Sequence, residues 1–254
     1  KLSGNYLSPF SFNTEIDRAT SIEIFRGEAY ITDGYTVYRI EGQKLRKVIS
    51  SDTRLIRNLI NLDEQYLAFL TSDVGVQLYR EGEIRTYTSD IRAINNTYSI
   101  TRWRGAYYVA SAGGLAVIRE DKLEPYQPEL PFNETCFSLL KDHQNHLWVG
   151  TFNGVYHYDG SSTRFYRRGQ GLVGNEINRN ALLEDRNFKI WIGTEQGLSI
   201  YNEAEDLTNE TTPELSFESV RNADENDISD IQNPILSYNA NTIRFDFRGI
   251  SFQD

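Results

Sequence analysis

Two stretches of this sequence, 43 positions apart, are copies of one another, and a repeat of this length restricts the chain to a few architectures. The first copy contains Leu139-Leu140-Lys141-Asp142, Leu147-Trp148-Val149-Gly150-Thr151, Gly154-Val155 and Tyr158, and the second contains Leu182-Leu183-Glu184-Asp185, Ile190-Trp191-Ile192-Gly193-Thr194, Gly197-Leu198 and Tyr201. Weaker copies begin near Tyr108-Val109-Ala110-Ser111, near Asp63 with Phe69 and Thr71, and near Tyr30-Ile31-Thr32. Five units of 39 to 43 residues are therefore visible.

Each unit contains four short stretches with the patterning of β-strands. In the clearest unit, the pattern predicts strands at Cys136 to Lys141, His146 to Thr151, Val155 to Tyr158 and Thr163 to Arg167. Four antiparallel strands in about forty residues are typical of a propeller blade. The sequence therefore predicts an all-β chain of about five four-stranded blades.

The residues common to the two best copies have structural explanations. The tryptophan is expected to fill the gap between neighbouring blades, the small residues to allow close strand packing, and the glycine before the third strand to adopt a positive φ. The aspartate after the first strand, also expected at Asp63, would accept backbone N–H bonds in the turn. The repeat positions are Asp142, Trp148, Gly150, Thr151 and Gly154 in one unit and Asp185, Trp191, Gly193, Thr194 and Gly197 in the other.

The ends of the chain leave the size of the ring open. The segment Lys1 to Phe10 resembles the fourth-strand segments of other units, so it either completes the last unit in a five-bladed ring or belongs to a larger ring. We favour the larger ring. Blades are expected over 1–201, a linker rich in acidic and polar residues over 202–212, and the start of an incomplete β-sandwich domain over 213–254.

Composition excludes several function classes. The formal charge of −10 and the pI of about 4.9 argue against nucleic acid as a partner. No stretch approaches the roughly 18 apolar residues of a membrane-spanning helix. The single cysteine, Cys136, lies in an apolar strand, where a buried and inert thiol is expected.

The repeat carried by Leu140 to Tyr158 and Leu183 to Tyr201 resembles the two-component regulator propeller repeat, and Gly169 to Ile177 is similar to its Gly-Leu-x-x-Asn link. The segment Leu236 to Phe247 resembles the start of the Y-Y-Y sandwich domain that follows such propellers. The resemblance implies the periplasmic sensor region of a bacterial histidine kinase, often hybrid. It also implies a homodimeric receptor, an oligosaccharide or other small-molecule ligand, and signalling across the membrane through the sandwich domain. Kinase, receiver and DNA-binding parts would lie beyond Asp254.

Motifs for other chemistry are weak. The glycines of Gly169-x-Gly171-x-x-Gly174 match a dinucleotide fingerprint, but a strand rather than a helix is expected next. Zinc requires converging ligands, and His157 is expected to point away from His143 and His146, so all three histidines are predicted to be surface residues without a metal. We therefore expect no catalytic residue, metal or cofactor. Carboxylates of a propeller glycosidase or lyase could be hidden among the 36 acids, and a protein-interaction scaffold is a further alternative.

Ligand contacts are expected from the loops between second and third strands and from those before each first strand, because these loops lie on one face of a propeller. Planar amides, acids and aromatic rings are the groups that bind sugars. The candidate ligand-binding residues are Asn95, Asn96, Asn133, Glu134, Phe152, Asn153, Asn178, Arg179 and Glu195. Binding there would favour one arrangement of two protomers, provided that the ligand has different affinities for the two arrangements.

Overall fold

The structure is a computed structural model that describes residues 2–3, 6–7, 12, 16, 18–50, 55–126, 134–206, 214–222, 227–228, 238 and 242–250. The chain divides into two compact units, Lys1–Glu203 and Ala204–Asp254. Nearly all of the regular structure is antiparallel β-sheet, as the sequence predicts.

The described residues of the first unit form a short hairpin, four blades of four strands and a fifth blade of three strands. The hairpin pairs β1 (Leu2–Ser3) with β2 (Tyr6–Leu7). Blade 1 contains β3 (Ser21–Phe25), β4 (Glu28–Thr32), β5 (Thr36–Glu41) and β6 (Lys44–Ser50), and blade 2 contains β7 (Ile56–Leu62), β8 (Tyr66–Thr71), β9 (Val76–Arg80) and β10 (Glu83–Tyr87). Blade 3 contains β11 (Thr97–Trp103), β12 (Ala106–Ser111), β13 (Gly114–Arg119) and β14 (Lys122–Pro125), and blade 4 contains β15 (Cys136–Lys141), β16 (Leu147–Thr151), β17 (Val155–Tyr158) and β18 (Thr163–Tyr166). Blade 5 contains β19 (Ile177–Glu184), β20 (Ile190–Thr194) and β21 (Gly197–Tyr201).

The first strand of each blade lies innermost. Within a blade the strands pair in sequence order, so the first strand forms one edge. The last strand, which is the fourth in blades 1 to 4 and the third in blade 5, forms the other edge. The first strands of neighbouring blades contact one another in turn, from β3 through β7, β11 and β15 to β19. This arrangement places the first strands around a common axis.

The apolar core is divided into four layers, each between two neighbouring blades. Between blades 3 and 4, for example, Trp103 and Leu115 of one sheet pack with Leu139 and Val149 of the other. Equivalent clusters lie between blades 1 and 2, 2 and 3, and 4 and 5. A sheet that is buried on both faces must be apolar on both faces, which explains the continuous run Leu147 to Val149 in β16.

A buried hydroxyl ends the second strand of every blade. The hydroxyl of Thr151 donates to the carbonyl of Gly154 at 2.9 Å and accepts the N–H of Asn153 at 3.2 Å. Ser111 and Thr194 make the same pair of bonds in their own turns. These hydroxyls satisfy backbone groups where the chain turns between the second and third strands.

The predicted strands of the clearest unit agree with β15 to β18 to within a residue or two. The expected equivalence of Asp63 with Asp142 is wrong. Leu62 pairs with Tyr66 as Asp142 pairs with His146, so Asp63 lies one position further into the turn, with a φ of 52°. The described residues of the segment Lys1 to Phe10 do not add a strand to the last blade. Instead, Leu2–Ser3 pairs with Tyr6–Leu7 in a two-stranded hairpin.

The outer faces of the first and last blades expose apolar side chains. Trp148 is 1% exposed between blades 4 and 5, as predicted, whereas Trp191 of blade 5 is half-buried. Beside Trp191, Leu183 is 62% exposed, and Ile22 on blade 1 is equally exposed. Membership of a larger ring remains a prediction.

The second unit contains a long hairpin of β22 (Glu214–Asn222) and β23 (Ile243–Ile250), in which Phe217 lies opposite Phe247. Leu236, Ser237 and Asn241 of the expected Y-Y-Y motif lie outside the described residues. The sandwich domain remains a prediction.

Replacing Gly150 with alanine is expected to destabilise the blades, because the added methyl would lie 2.6 Å from Cγ2 of Ile177 in the next blade. Overpacking of this kind costs about 1–3 kcal/mol, measured as the free energy of unfolding in urea. Ile177→Ala alone is expected to cost about 2–5 kcal/mol by leaving a cavity. The double variant should cost less than the sum of the two, and additive costs would contradict this contact between blades.

Candidate functional site

The first strands of blades 2 to 5 bulge at the same place, near their axial start. One extra residue is inserted in three of them: Arg57 in β7, Tyr98 in β11 and Phe137 in β15. In β19 the irregularity is longer, extending from Ile177 to Leu182. Bulges redirect side chains and are common beside active and binding sites.

The bulge residues meet at the axis in a group that we call the axial bulge cluster, comprising Arg57, Tyr98, Phe137 and Arg179. The Tyr98 ring packs edge-on to Phe137 with centroids 5.3 Å apart. The Cζ atoms of Arg57 and Arg179 lie 5.2 and 4.7 Å from the centroid of the Tyr98 ring. Because the bulge of blade 5 is long, Arg179 reaches a tyrosine that belongs to blade 3.

The cluster concentrates positive charge on an acidic protein. Within the described part of the chain, neither guanidinium forms an ion pair with a carboxylate, and Nε of Arg57 is buried without an acceptor. Burial lowers the pKa of Arg57, and the nearby charge of Arg179 acts in the same direction. Two neighbouring cations beside an aromatic ring form a site that an anion would stabilise.

Two of the predicted ligand residues belong to the same bulge of blade 5. Arg179 is part of the cluster, and Nδ2 of Asn178 donates to the Thr194 carbonyl at 2.9 Å, which fastens the bulge to its own blade. Asn96, immediately before Tyr98's strand begins, has a buried Oδ1 without a hydrogen-bond donor among the described residues. Buried acceptors without a hydrogen-bond donor are uncommon in proteins.

The other predicted residues are not members of the axial bulge cluster. Glu134 accepts hydrogen bonds from Nδ2 of Asn153 at 2.5 Å and from the Tyr156 hydroxyl at 3.2 Å, and Phe152 of the same turn is exposed. The Asn95 side chain closes its own loop through Ser89, with distances of 2.7 and 2.8 Å. Glu195 accepts the N–H of Asn175, and Asn133 lies outside the described residues.

Sequence reasoning missed Arg57, Tyr98 and Phe137. A signal was present, since each lies between a buried strand residue and a small polar residue, in Ile56-Arg57-Asn58, Thr97-Tyr98-Ser99 and Cys136-Phe137-Ser138. Aligning these triplets by repeat would have shown one variable, large position at the axial start of each first strand.

The repeated aspartates have the structural role that the sequence predicts. Oδ1 of Asp142 accepts the N–H groups of Gln144 and His146, and Oδ2 accepts Nε1–H of Trp148 at 2.9 Å. Asp185 makes the equivalent bonds with Asn187, Lys189 and Trp191. Each aspartate therefore fixes the turn between first and second strands and anchors the tryptophan of its own blade.

The prediction that His157 points away from the other histidines is wrong. His157 pairs with Trp148 across β16 and β17, and His146 precedes Trp148 by two residues. The side chains of His146, Trp148 and His157 therefore lie on one face of the sheet. Nε2 of His157 lies 3.0 Å from Nδ1 of His146, and Asp142 Oδ2 lies 3.6 Å from that Nδ1 and 3.9 Å from that Nε2. Burial and the neighbouring His146 lower the pKa of His157 to about 4, so its imidazole is neutral at neutral pH.

The third histidine faces a different partner. Nδ1 of His143 lies 2.5 Å from Oε1 of Glu184, and its ring stacks on Phe188 with centroids 4.1 Å apart. This pair links the turns of blades 4 and 5. His143 therefore does not belong to the group formed by Asp142, His146 and His157.

The glycine-rich link and the single cysteine have the structures that the sequence predicts. The glycines of Gly169 to Gly174 lead into β19 through turns and bends, without the helix that a dinucleotide site requires. Cys136 is fully buried, and burial raises the pKa of its thiol, which keeps it protonated and unreactive.

Part of the chain matches a known family model, and solved structures share its fold. Residues 129–153 match the family model described as two component regulator propeller. No curated protein matches the chain. Within the described part of the chain, no helix is long and apolar enough to cross a lipid bilayer.

The fold is similar to extracellular domains of bacterial signalling proteins. One, assigned as part of a hybrid two-component system of B. thetaiotaomicron, has a TM-score of 0.65 and 18% identity over 91% of this chain and 35% of its own. Another from B. thetaiotaomicron, assigned to a one-component system, has a TM-score of 0.61 and 19% identity over 86% of this chain and 32% of its own. This chain thus spans about a third of the length of both.

An enzyme shares the propeller fold more distantly. Virginiamycin B lyase from Staphylococcus aureus has a TM-score of 0.58 and 13% identity over 81% of this chain and 76% of its own. At such identities the likeness concerns the fold.

Replacing Asp142 with alanine is expected to destabilise the protein, since it leaves the buried Trp148 Nε1–H without an acceptor. The free energy of unfolding, measured in urea, should fall by about 1–3 kcal/mol. Asp185→Ala is the matched control, and it should cost less because Trp191 is half-buried and water can replace the carboxylate. Equal losses would contradict this explanation.

Proposed function

We propose that this chain, whose fourth blade carries a two-component regulator propeller repeat, is a non-catalytic, extracytoplasmic ligand-sensing module of a two-component signalling protein. Its ligand is an oligosaccharide that carries a carboxylate, bound at the axial bulge cluster. The family match of residues 129–153 and the likeness to extracellular domains of signalling proteins support the general role.

The observation that carries the ligand assignment is the pair of arginines around Tyr98. Guanidinium groups recognise carboxylates through paired, charge-assisted hydrogen bonds. The half-buried Phe137 ring adds apolar surface against which a sugar ring can pack, whereas the neighbouring Tyr98 ring is itself buried.

Signalling follows from a difference in affinity between two states of the receptor. The proposed receptor is a homodimeric histidine kinase with its sensor in the periplasm. The second unit of this chain, proposed to begin a Y-Y-Y sandwich, transmits the change in protomer arrangement toward the membrane. Ligand binding shifts the equilibrium only if it favours one arrangement of the protomers. Because Arg57 and Arg179 lie on different blades, the contacts that they make with a ligand depend on how these blades are arranged.

Acidic oligosaccharides should bind this chain more tightly than neutral ones. We expect short oligogalacturonides to raise the thermal unfolding midpoint, and neutral cello-oligosaccharides of equal length to raise it less. Arg57→Gln and Arg179→Gln should each weaken binding by about 10- to 100-fold, the value of one charge-assisted contact. Titration calorimetry measures the affinities.

Arg119→Gln is the matched control, because Arg119 is exposed and pairs with Glu124 near the outer edge of blade 3. It should leave binding unchanged. Equal affinity for neutral and acidic probes, or equal losses in the control and the axial variants, would contradict the ligand assignment. Cleavage of the oligosaccharides by the purified chain would contradict the non-catalytic role and favour the glycosidase or lyase alternative.

A further inference from the structure

Blade 4 contains all three histidines of the chain, and two of them converge with Asp142 at the end of the blade opposite the axial bulge cluster. The three potential ligand atoms are Oδ2 of Asp142, Nδ1 of His146 and Nε2 of His157. Each comes from a different strand or strand end: Asp142 follows β15, His146 precedes β16, and His157 lies in β17. Antiparallel pairing thus brings together residues that are 4 to 15 positions apart.

We propose that Asp142, His146 and His157 form a binding site for a divalent transition-metal ion, for which zinc is the best match. The three atoms are separated by 3.0, 3.6 and 3.9 Å. A tetrahedral zinc ion with bonds of about 2.0–2.1 Å requires ligand atoms about 3.3–3.4 Å apart, which lies within that range. Two imidazoles and one carboxylate are also a ligand set that zinc uses, with water in the fourth position.

The carboxylate is held in place before any ion arrives. Its Oδ1 accepts two backbone N–H groups, and its Oδ2 accepts Nε1–H of Trp148 while retaining a second lone pair. The His157 ring stacks on Trp148 with centroids 4.1 Å apart and planes inclined by 15°. Hydrogen bonds and packing of this kind orient metal ligands and increase affinity.

The site is accessible but sheltered. The side chains of Asp142 and His157 are 6% and 11% exposed, and that of His146 is 22% exposed, so an ion and a water ligand can enter beside His146. In this interior position a carboxylate attracts a cation more strongly than at the surface.

The next repeat provides an internal comparison. Blade 5 has the same aspartate–tryptophan pair, Asp185 and Trp191, with the same hydrogen bonds. Lys189 stands where blade 4 has His146, and Ile200 pairs with Trp191 as His157 pairs with Trp148. The aspartate and tryptophan therefore have the same structural role in both repeats. The two imidazoles occur in blade 4 but not in blade 5, so a blade folds without them.

The test measures zinc binding to the whole chain by competition with a chromophoric chelator, and cobalt binding by its visible absorption bands. We expect one equivalent of zinc, and tetrahedral cobalt bands that zinc displaces. His146→Ala and His157→Gln should each weaken zinc binding by at least about 10-fold. His143→Ala is the matched control and should bind zinc as the wild type does, because His143 pairs with Glu184.

A second variant keeps the test independent of the stability of blade 4. Lys189→His combined with Ile200→His installs two imidazoles on the aspartate–tryptophan pair of blade 5 and should raise the zinc stoichiometry from one to two. An unchanged stoichiometry would contradict the inference that this pair presets the geometry. Absence of zinc binding by the wild type would overturn the site and leave only a hydrogen bond between His146 and His157. A loss of zinc affinity in His143→Ala equal to that in the His146 and His157 variants would also overturn it.

Discussion

Packing between neighbouring blades is the interaction on which the rest of this structure depends. Each sheet is too small to have its own core, so the apolar residues of both faces must be covered by the adjacent sheets. The four buried layers between the five blades meet this requirement, and the run Leu147-Trp148-Val149 is apolar on both sides for that reason. Where no further blade follows among the described residues, as beside Trp191 and Leu183, the same kind of face is exposed.

The packing also explains where the candidate ligand site can form. The outer parts of the strands are held between two sheets, but the axial starts of the first strands face the common axis. Extra residues at that position do not disturb the layers between blades, so bulges are tolerated there. As a result, Arg57, Tyr98 and Arg179 come from three different blades and still meet around one ring.

At the other end of blade 4, the aspartate–tryptophan hydrogen bond of the repeat holds one ligand of the proposed metal site. Asp142 and Asp185 each join a turn to a tryptophan, and this bond is independent of any ligand. Only in blade 4 do neighbouring positions carry imidazoles on the same face. The repeat thus separates what the fold requires from what one blade adds, because equivalent positions can be compared within one molecule.

Much of the fold could be predicted from the sequence, because strand alternation and blade length are local properties. The predicted strands of blade 4, the roles of Asp142 and Trp148, and the absence of a helix after Gly174 agree with the structure. The meeting of particular side chains was predicted less well. Arg179 was named as a ligand residue, but its partners Arg57 and Tyr98 were not, and His157 was assigned the wrong direction.

The sequence by itself determined the blade, since the forty-residue repeat, its alternation and its glycine and aspartate turns depend on residues close together in the chain. Only the tertiary structure decided which side chains meet. A bulge changes the direction of a side chain without altering the repeat, and the face shared by His146, Trp148 and His157 depends on the register between β16 and β17. Register and closure around an axis are set by contacts between distant segments, so local patterning does not contain them.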